Sequence, residues 1–275
     1  MKVSFIGGGN MATALIAGLA RMPQSISVTV VEPMLEQRER LLSNTALQGE
    51  RLHIDIIEQV NSAVSQSDVI VLAVKPQNMQ AACAAIHSYS TLTSALIVSI
   101  AAGTLMGDIA NWLNNTNARI VRCMPNTPAT LGLGITGLVA NAQASVQDKA
   151  LAQTIMQAAG QTLWVDNEDM IDAVTAVSGS GPGYVFYLME ALQNAAQAQG
   201  FTAEQARLLT EHTFAGSAQL ALHTGTSFSV LREQVTSKGG TTHAGLEAMR
   251  EKNVAAAIES AVSAAKRRAH ELSGK

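Results

Sequence analysis

Gly7, Gly9 and Ala12, within Phe5-Ile6-Gly7-Gly8-Gly9-Asn10-Met11-Ala12, have the spacing of a turn that lays backbone against a phosphate. The pattern G-x-G-x-x-G/A carries weight only between a strand and a helix. Here Lys2–Gly7 reads as a strand, and Asn10–Arg21 reads as a helix, apolar at Met11, Leu15 and Leu19. Gly7 permits the tight turn, Gly9 removes a Cβ so that backbone can approach a pyrophosphate, and Ala12 keeps the helix close to the sheet. The helix N-terminus adds N–H groups and the positive end of its dipole. Glu32 ends the next strand, about 20 residues past Ala12, where an acidic residue would bind a ribose 2′-hydroxyl. Ile6, Gly7, Gly8, Gly9, Asn10, Met11 and Glu32 are therefore candidate dinucleotide-binding residues; the bland alternative is a glycine turn with no ligand. Glu32 favours NAD over NADP, because a 2′-phosphate would face a carboxylate. Arg38 and Arg40 soften this only if a loop brings them round.

Ligands of open α/β sheets bind at the carboxyl ends of the strands. The segments there are Ala73-Val74-Lys75-Pro76-Gln77, Ser99-Ile100-Ala101-Ala102-Gly103 and Met124-Pro125-Asn126-Thr127-Pro128. The second half adds the run Asp172–Pro182, containing Ser178-Gly179-Ser180, and Val235-Thr236-Ser237-Lys238-Gly239-Gly240-Thr241-Thr242. With the glycine turn, this order of motifs resembles the Δ1-pyrroline-5-carboxylate reductases, from residue 2 to about residue 270. The last two motifs are specific to that family, whereas the glycine turn is shared with many dehydrogenases.

The resemblance implies an NADPH- or NADH-dependent imine reductase completing proline synthesis. It implies an N-terminal Rossmann domain and a C-terminal helical domain through which homodimers form, some members assembling five dimers into a decamer. Carried onto this chain, Ile6–Met11 would bind the pyrophosphate, and Ala73, Val74, Lys75 and Pro76 with Ile100, Ala101 and Ala102 would flank the nicotinamide and its ribose. Ser237, Gly239, Gly240, Thr241 and Thr242 would bind substrate, the backbone of 239–242 receiving its carboxylate. Asn61 matches an adenine-side asparagine, although its distance to Asp68 is one residue shorter than expected. Two departures stand out: Lys238 where the family commonly has Pro, and Gln234 where relatives more often hold Asp or Asn.

The chemistry implied asks more for position than for acid–base power. Correct placement of hydride donor and protonated imine supplies roughly 7–11 kcal/mol. Thr242 could hydrogen-bond the ring nitrogen and assist its protonation, making it the candidate catalytic residue; the alternative is a plain helix N-cap. Lys75 reads as a cofactor or structural contact rather than a Schiff-base lysine, and His243 as a surface or capping residue. Glu168, Asp169 and Asp172 read as charge at a helix N-terminus. Ser178 and Ser180 lack the strand–turn–helix context of a hydrolase nucleophile. His53, His87, His212, His223 and His270 show no ligand spacing, so no metal is expected.

The elements that must hold these residues form two patterns. Ser27–Glu32, Asp68–Val74, Ala95–Ile100 and Arg119–Pro125 are further strand-sized apolar runs. They alternate with helical patterns at 35–43, 79–87 and 105–113. Continuous apolar strands separated by helices indicate a parallel sheet covered on both faces. Weaker strands, Ile135–Ala140 and Thr162–Asp166, flank a helix near Val146–Ala159. After Asp166 the strand signal stops. Ser180 could cap a helix ending at Gly200; Thr202 with Gln205 is a capping-box pattern for the next, to about His223. A last helical stretch runs from near Thr242, with an interruption at Asn253. The expected fold is α/β: a doubly wound Rossmann-type sheet over 1–166 and an all-helical substrate-binding and dimerisation domain over 167–275.

Composition excludes other classes. Eighteen Lys+Arg against 21 Asp+Glu leave no basic excess for nucleic acid. No apolar run approaches the ~18 residues that span a bilayer, and the glycine turn interrupts any signal-peptide pattern. Cys83 and Cys123 read as reduced, buried thiols of a cytoplasmic protein. Charged residues are 14 % of the chain against about 25 % usually, and the alanine-rich second half suits a buried subunit interface. Two competitors are a 3-hydroxyacid dehydrogenase and a dinucleotide-binding redox sensor without turnover. The former normally uses a lysine of the helical domain, and none occurs between Lys149 and Lys238. The latter leaves Gly239-Gly240-Thr241-Thr242 unexplained.

Overall fold

The computed structural model describes residues 1–89 and 95–274. Its packing divides into two compact units, Met1–Ser180 with Ala265–Lys275, and Gly181–Ala264.

The first unit is built on eight strands: β1 (Lys2–Ile6), β2 (Ile26–Val31), β3 (Leu52–Ile57), β4 (Val69–Leu72), β5 (Leu96–Ser99), β6 (Ile120–Met124), β7 (Gly134–Ala140) and β8 (Gly160–Trp164). They lie in the order β3-β2-β1-β4-β5-β6-β7-β8. The first six repeat the 3-2-1-4-5-6 order of a doubly wound dinucleotide-binding sheet, with its switch point between β1 and β4. Alternate residues of the central strands feed two cores. Val69 and Val71 join Phe5, Leu15, Leu19 and Val98 on one face. Ile70 and Leu72 join Met79, Ile86, Ile97 and Ile109 on the other. Burial on both sides is why these strands read as unbroken apolar runs.

Helices α1 (Asn10–Ala20), α2 (Leu35–Leu42), α3 (Met79–Tyr89), α4 (Met106–Trp112) and α5 (Val146–Gln157) connect the strands. β6 and β7 pair antiparallel. Their connection, 125–133, is shorter than the dozen or so residues a parallel crossover needs. β3 is absent from the sequence expectation. It is an edge strand paired to β2, with exposed His53 and Asp55 alternating with its apolar residues.

Beyond β8, α6 (Glu168–Val174) runs into a wide π-turn at Thr175–Gly179, where the Ser180 N–H bonds the Thr175 carbonyl at 2.8 Å. Ser180 itself has helical dihedrals, φ −84° and ψ −21°, so it does not act as the expected N-cap. The Asn126 side chain donates to the Ser178 carbonyl at 3.1 Å. That carbonyl lies four residues before Pro182, which has no N–H to offer it.

The second unit holds α7 (Gly181–Ala198), α8 (Ala203–Thr224), α9 (Phe228–Gln234), α10 (Thr241–Glu251) and most of α11 (Val254–Leu272). Gly200 takes φ +97°, and both bonds of the Thr202–Gln205 capping box are present, as the sequence indicates. Asn253, at φ +54°, separates α10 from α11. Phe186, Tyr187, Leu222 and Phe228 are among many large apolar side chains left exposed on this unit.

Candidate functional site

The first constellation lies at the carboxyl ends of β1, β2 and β4. Gly7 has φ +101°, and a Cβ there would stand 2.7 Å from the Ala73 carbonyl oxygen, so only glycine fits. A Cβ on Gly9 would meet nothing within 4 Å. Gly9 thus leaves open space at the mouth of the turn, the shape a pyrophosphate requires. Ala12 is buried beneath it. A cavity of about 800 Å³ opens here; Ile6, Gly7, Gly9, Glu32, Ala73, Val74 and Lys75 all line it. Asn10 lines a smaller polar cavity beside it with Thr13, Gln37 and Arg40.

Gly8 is buried, and its N–H donates to Glu32 Oε2 at 2.9 Å. Glu32 Oε1 accepts the Met34 N–H, also at 2.9 Å. Gln37 Nε2 bonds the Gly8 carbonyl at 2.6 Å. Arg38 Nη1 bonds the carbonyls of Glu32 and Pro33. These contacts, together with Arg40 and Glu58 at the cavity wall, were not legible in the motif. Of the remaining expected cofactor residues, Met11 is half-buried on α1 and Pro76 opens a short 3₁₀ turn. Asn61 is exposed, and its Oδ1 accepts the Ala63 N–H at 2.9 Å. Ile100, Ala101 and Ala102 form the loop after β5 and are not among the residues lining the cavity; the Ile100 N–H bonds the Leu72 carbonyl, next to Ala73.

The start of α4, just after that loop, is held by a network that the sequence presented only as charge at a helix N-terminus. Arg122, on β6, is 1 % exposed; Nη1 meets Glu168 Oε1 at 3.1 Å and Nη2 meets Asp172 Oδ1 at 3.3 Å. Glu168 Oε1 also accepts the Met106 N–H at 3.0 Å, at the first turn of α4. Glu168 stands with Asp169 in the first turn of α6, as expected, and with Asp172 it is also a partner of a buried guanidinium. Gly103, at φ +70°, packs against the Leu272 carbonyl at the end of α11. Among the described residues, no group of three or more His, Cys, Asp or Glu is arranged to hold a metal ion. No described helix is long and apolar enough to cross a membrane.

The second constellation lies within the helical unit. Gly239 has φ +73°, and the Gly240 N–H bonds the Ser237 carbonyl at 3.0 Å. The N-cap of α10 is Gly240, extended at φ −80° and ψ 177°, with no side-chain cap. Thr242 is therefore the second helical residue and not the cap. The first i→i−4 bond of α10 is Ala244 N–H to the Gly240 carbonyl, at 3.1 Å. The N–H groups of Thr241, Thr242 and His243 precede it and point out of the helix end. Such a turn is built to receive an anion.

Residues 168–272 match the family model for pyrroline-5-carboxylate reductase dimerisation, and residues 2–103 match that for NADP oxidoreductase, coenzyme F420-dependent. The chain is 42 % identical over 98 % of its length to the pyrroline-5-carboxylate reductase of Pseudomonas aeruginosa, covering 96 % of that protein. The chain belongs to the pyrroline-5-carboxylate reductases. Its fold agrees with a pyrroline-5-carboxylate reductase from Coxiella burnetii at TM-score 0.89 and 39 % identity, each chain covered to 98 %. A Plasmodium falciparum pyrroline carboxylate reductase with NADP bound agrees at TM-score 0.82 and 26 % identity, over 99 % of this chain and 98 % of that one. As a pyrroline-5-carboxylate reductase, the protein is an NAD(P)H-dependent oxidoreductase that forms proline from a cyclic imine. Its helical half carries the family's dimerisation region.

Proposed function

We propose that the chain divides this reaction between its two halves. Residues 1–166 hold the dinucleotide, and residues 167–275 hold Δ1-pyrroline-5-carboxylate and form the subunit contact. The cofactor supplies a hydride to the imine carbon, while the ring nitrogen gains a proton. The observation that carries the substrate assignment is the first turn of α10, uncapped by any side chain behind the positive-φ Gly239. The N–H groups of Thr241 and Thr242 hold the substrate carboxylate, with Ser237, Gly239 and Gly240 shaping the turn. An anion at a helix N-terminus gains about 0.3–1 kcal/mol, and up to ~2 where water is excluded. That suffices to orient a small ring. The Thr242 hydroxyl donates to the ring nitrogen and relays its proton, and with no N-cap duty it is available for that role.

In the first half, Ile6–Met11 cradle the pyrophosphate and Glu32 meets the adenosine ribose; Asn61 lies towards the adenine. Ala73–Pro76 and Ile100–Ala102 flank the nicotinamide and its ribose. Support for the second of these comes from the Ile100 N–H, which bonds the Leu72 carbonyl beside Ala73 and so sets the two loops next to each other. The assembly is a homodimer through the helical half, repeated five times in a decamer. The exposed apolar side chains of α7 and α8 support the dimer. It works in the cytoplasm on a small molecule, with neither nucleic acid nor membrane as partner, in keeping with its near-balanced charge.

The test is Thr242→Ala beside Thr242→Ser. The alanine variant lowers kcat on the order of 10²-fold, the serine variant restores most of it, and thermal stability stays within a degree or two. An unchanged kcat in a folded alanine variant removes Thr242 from the mechanism.

A further inference from the structure

We infer that this chain prefers NADH to NADPH and that Glu32 makes the choice; the inference rests on the dinucleotide assignment above. Glu32 ends β2 and is 8 % exposed. Each of its oxygens is already held by one backbone N–H, Oε2 by Gly8 and Oε1 by Met34. The carboxylate is therefore clamped between the turn after β1 and the turn after β2. It cannot swing aside. Each oxygen keeps a second lone pair for a ribose hydroxyl, which can donate to it. A 2′-phosphate is mostly deprotonated at neutral pH, so it has little to donate, and it brings ~1.5 to 2 negative charges against a fixed one.

The usual remedy for a 2′-phosphate is an arginine, and the nearest one is spent. Arg38 Nη1 holds the carbonyls of Glu32 and Pro33 at 3.0 and 2.7 Å, and Nη2 faces Glu58 at 3.5 Å. Arg40 is exposed at the cavity wall, where Glu36 and Glu58 stand beside Glu32. Carboxylates thus outnumber guanidinium groups around the adenosine end. Lys75 reaches the cavity from the end of β4, on the opposite side of β1 from Glu32.

The experiment compares NADH and NADPH on the full-length protein, by fluorescence titration for Kd and by steady-state oxidation with pyrroline-5-carboxylate for kcat/KM. The wild type binds NADH at least about tenfold more tightly than NADPH, the scale of one unit-charge repulsion in a partly screened site. Glu32→Gln shrinks that ratio by about tenfold or more, chiefly by weakening NADH while NADPH is unchanged or tighter. A wild type that prefers NADPH overturns the inference. So does a Glu32→Gln variant that loses both dinucleotides equally, since that is what a purely structural clamp predicts. Selective NADH binding without imine turnover would leave this inference standing and remove the proposed reaction. Binding of neither dinucleotide removes both.

Discussion

Replacing Arg122 by methionine takes the guanidinium away from two carboxylates in the first unit. Asp172 is 2 % exposed and Glu168 21 % on their side chains, so the two suffer differently. Glu168 retains the Met106 N–H and some water; Asp172, more deeply buried, loses its guanidinium partner. Breaking a buried pair from one side costs about 3–5 kcal/mol. At about 2–4 °C per kcal/mol for a domain of this size, Tm falls by roughly 6–20 °C. The wild-type arrangement is not ideal, because the buried Arg122 Nε finds no acceptor among the described residues. An apolar pair of similar volume, Arg122→Met with Asp172→Val, therefore returns most of the loss. The double-mutant coupling comes to about 2–4 kcal/mol. Differential scanning calorimetry on the four proteins measures it. Arg122→Met costing under about 1 kcal/mol, or a double variant as unstable as the two losses summed, would refute the buried network.

Further outcomes follow from other features. Gly7→Ala forces a Cβ onto the Ala73 carbonyl at a positive φ; it destabilises by about 2 kcal/mol or more and abolishes dinucleotide binding by titration, and an alanine variant that still binds contradicts the turn. Burial alone would raise the Asp148 carboxyl, but the Ser145 hydroxyl, the Ser145 N–H and the Arg119 guanidinium outweigh it and hold it below the usual carboxylate range. Its stabilisation is full above the unfolded value near 3.9 and fades as pH falls through the lower folded value. Asp148→Asn thus costs about 1–2 kcal/mol at pH 7, a gap in urea midpoints that closes towards pH 3; a gap constant with pH refutes it. Burial pushes the Cys83 thiol up to about 12 and Cys123 higher still. Iodoacetamide at pH 8 should label neither in the native protein and both in urea, by mass spectrometry.

What the sequence reveals follows from how local each feature is. β1, β4, β5 and β6 are buried on both faces and so spell themselves as apolar runs. The capping box at Thr202–Gln205 and the glycine turn are each written within a few residues. β3 escapes because it is a half-exposed edge strand whose His53 and Asp55 alternate with Leu52, Ile54 and Ile56, so it lacks the continuous apolar run of its neighbours. Ser180 misleads because a serine before Gly-Pro looks like a helix start, whereas the π-turn at 175–179 runs through it. The Arg122 network joins residues 46 and 50 positions apart, beyond any spacing rule. Glu32 was legible as an acidic residue at the ribose position. Its capture by Gly8 and Met34 depends on two turns meeting in space.

The central claim is hydride transfer from the nicotinamide to the imine carbon. The direct measurement is turnover of pyrroline-5-carboxylate with NADH carrying deuterium at the transferred C4 position, followed by mass spectrometry and NMR of the product. The account predicts L-proline with one deuterium, on the ring carbon bonded to nitrogen that does not bear the carboxylate. Proline without deuterium, or dinucleotide binding with no proline formed, would contradict it.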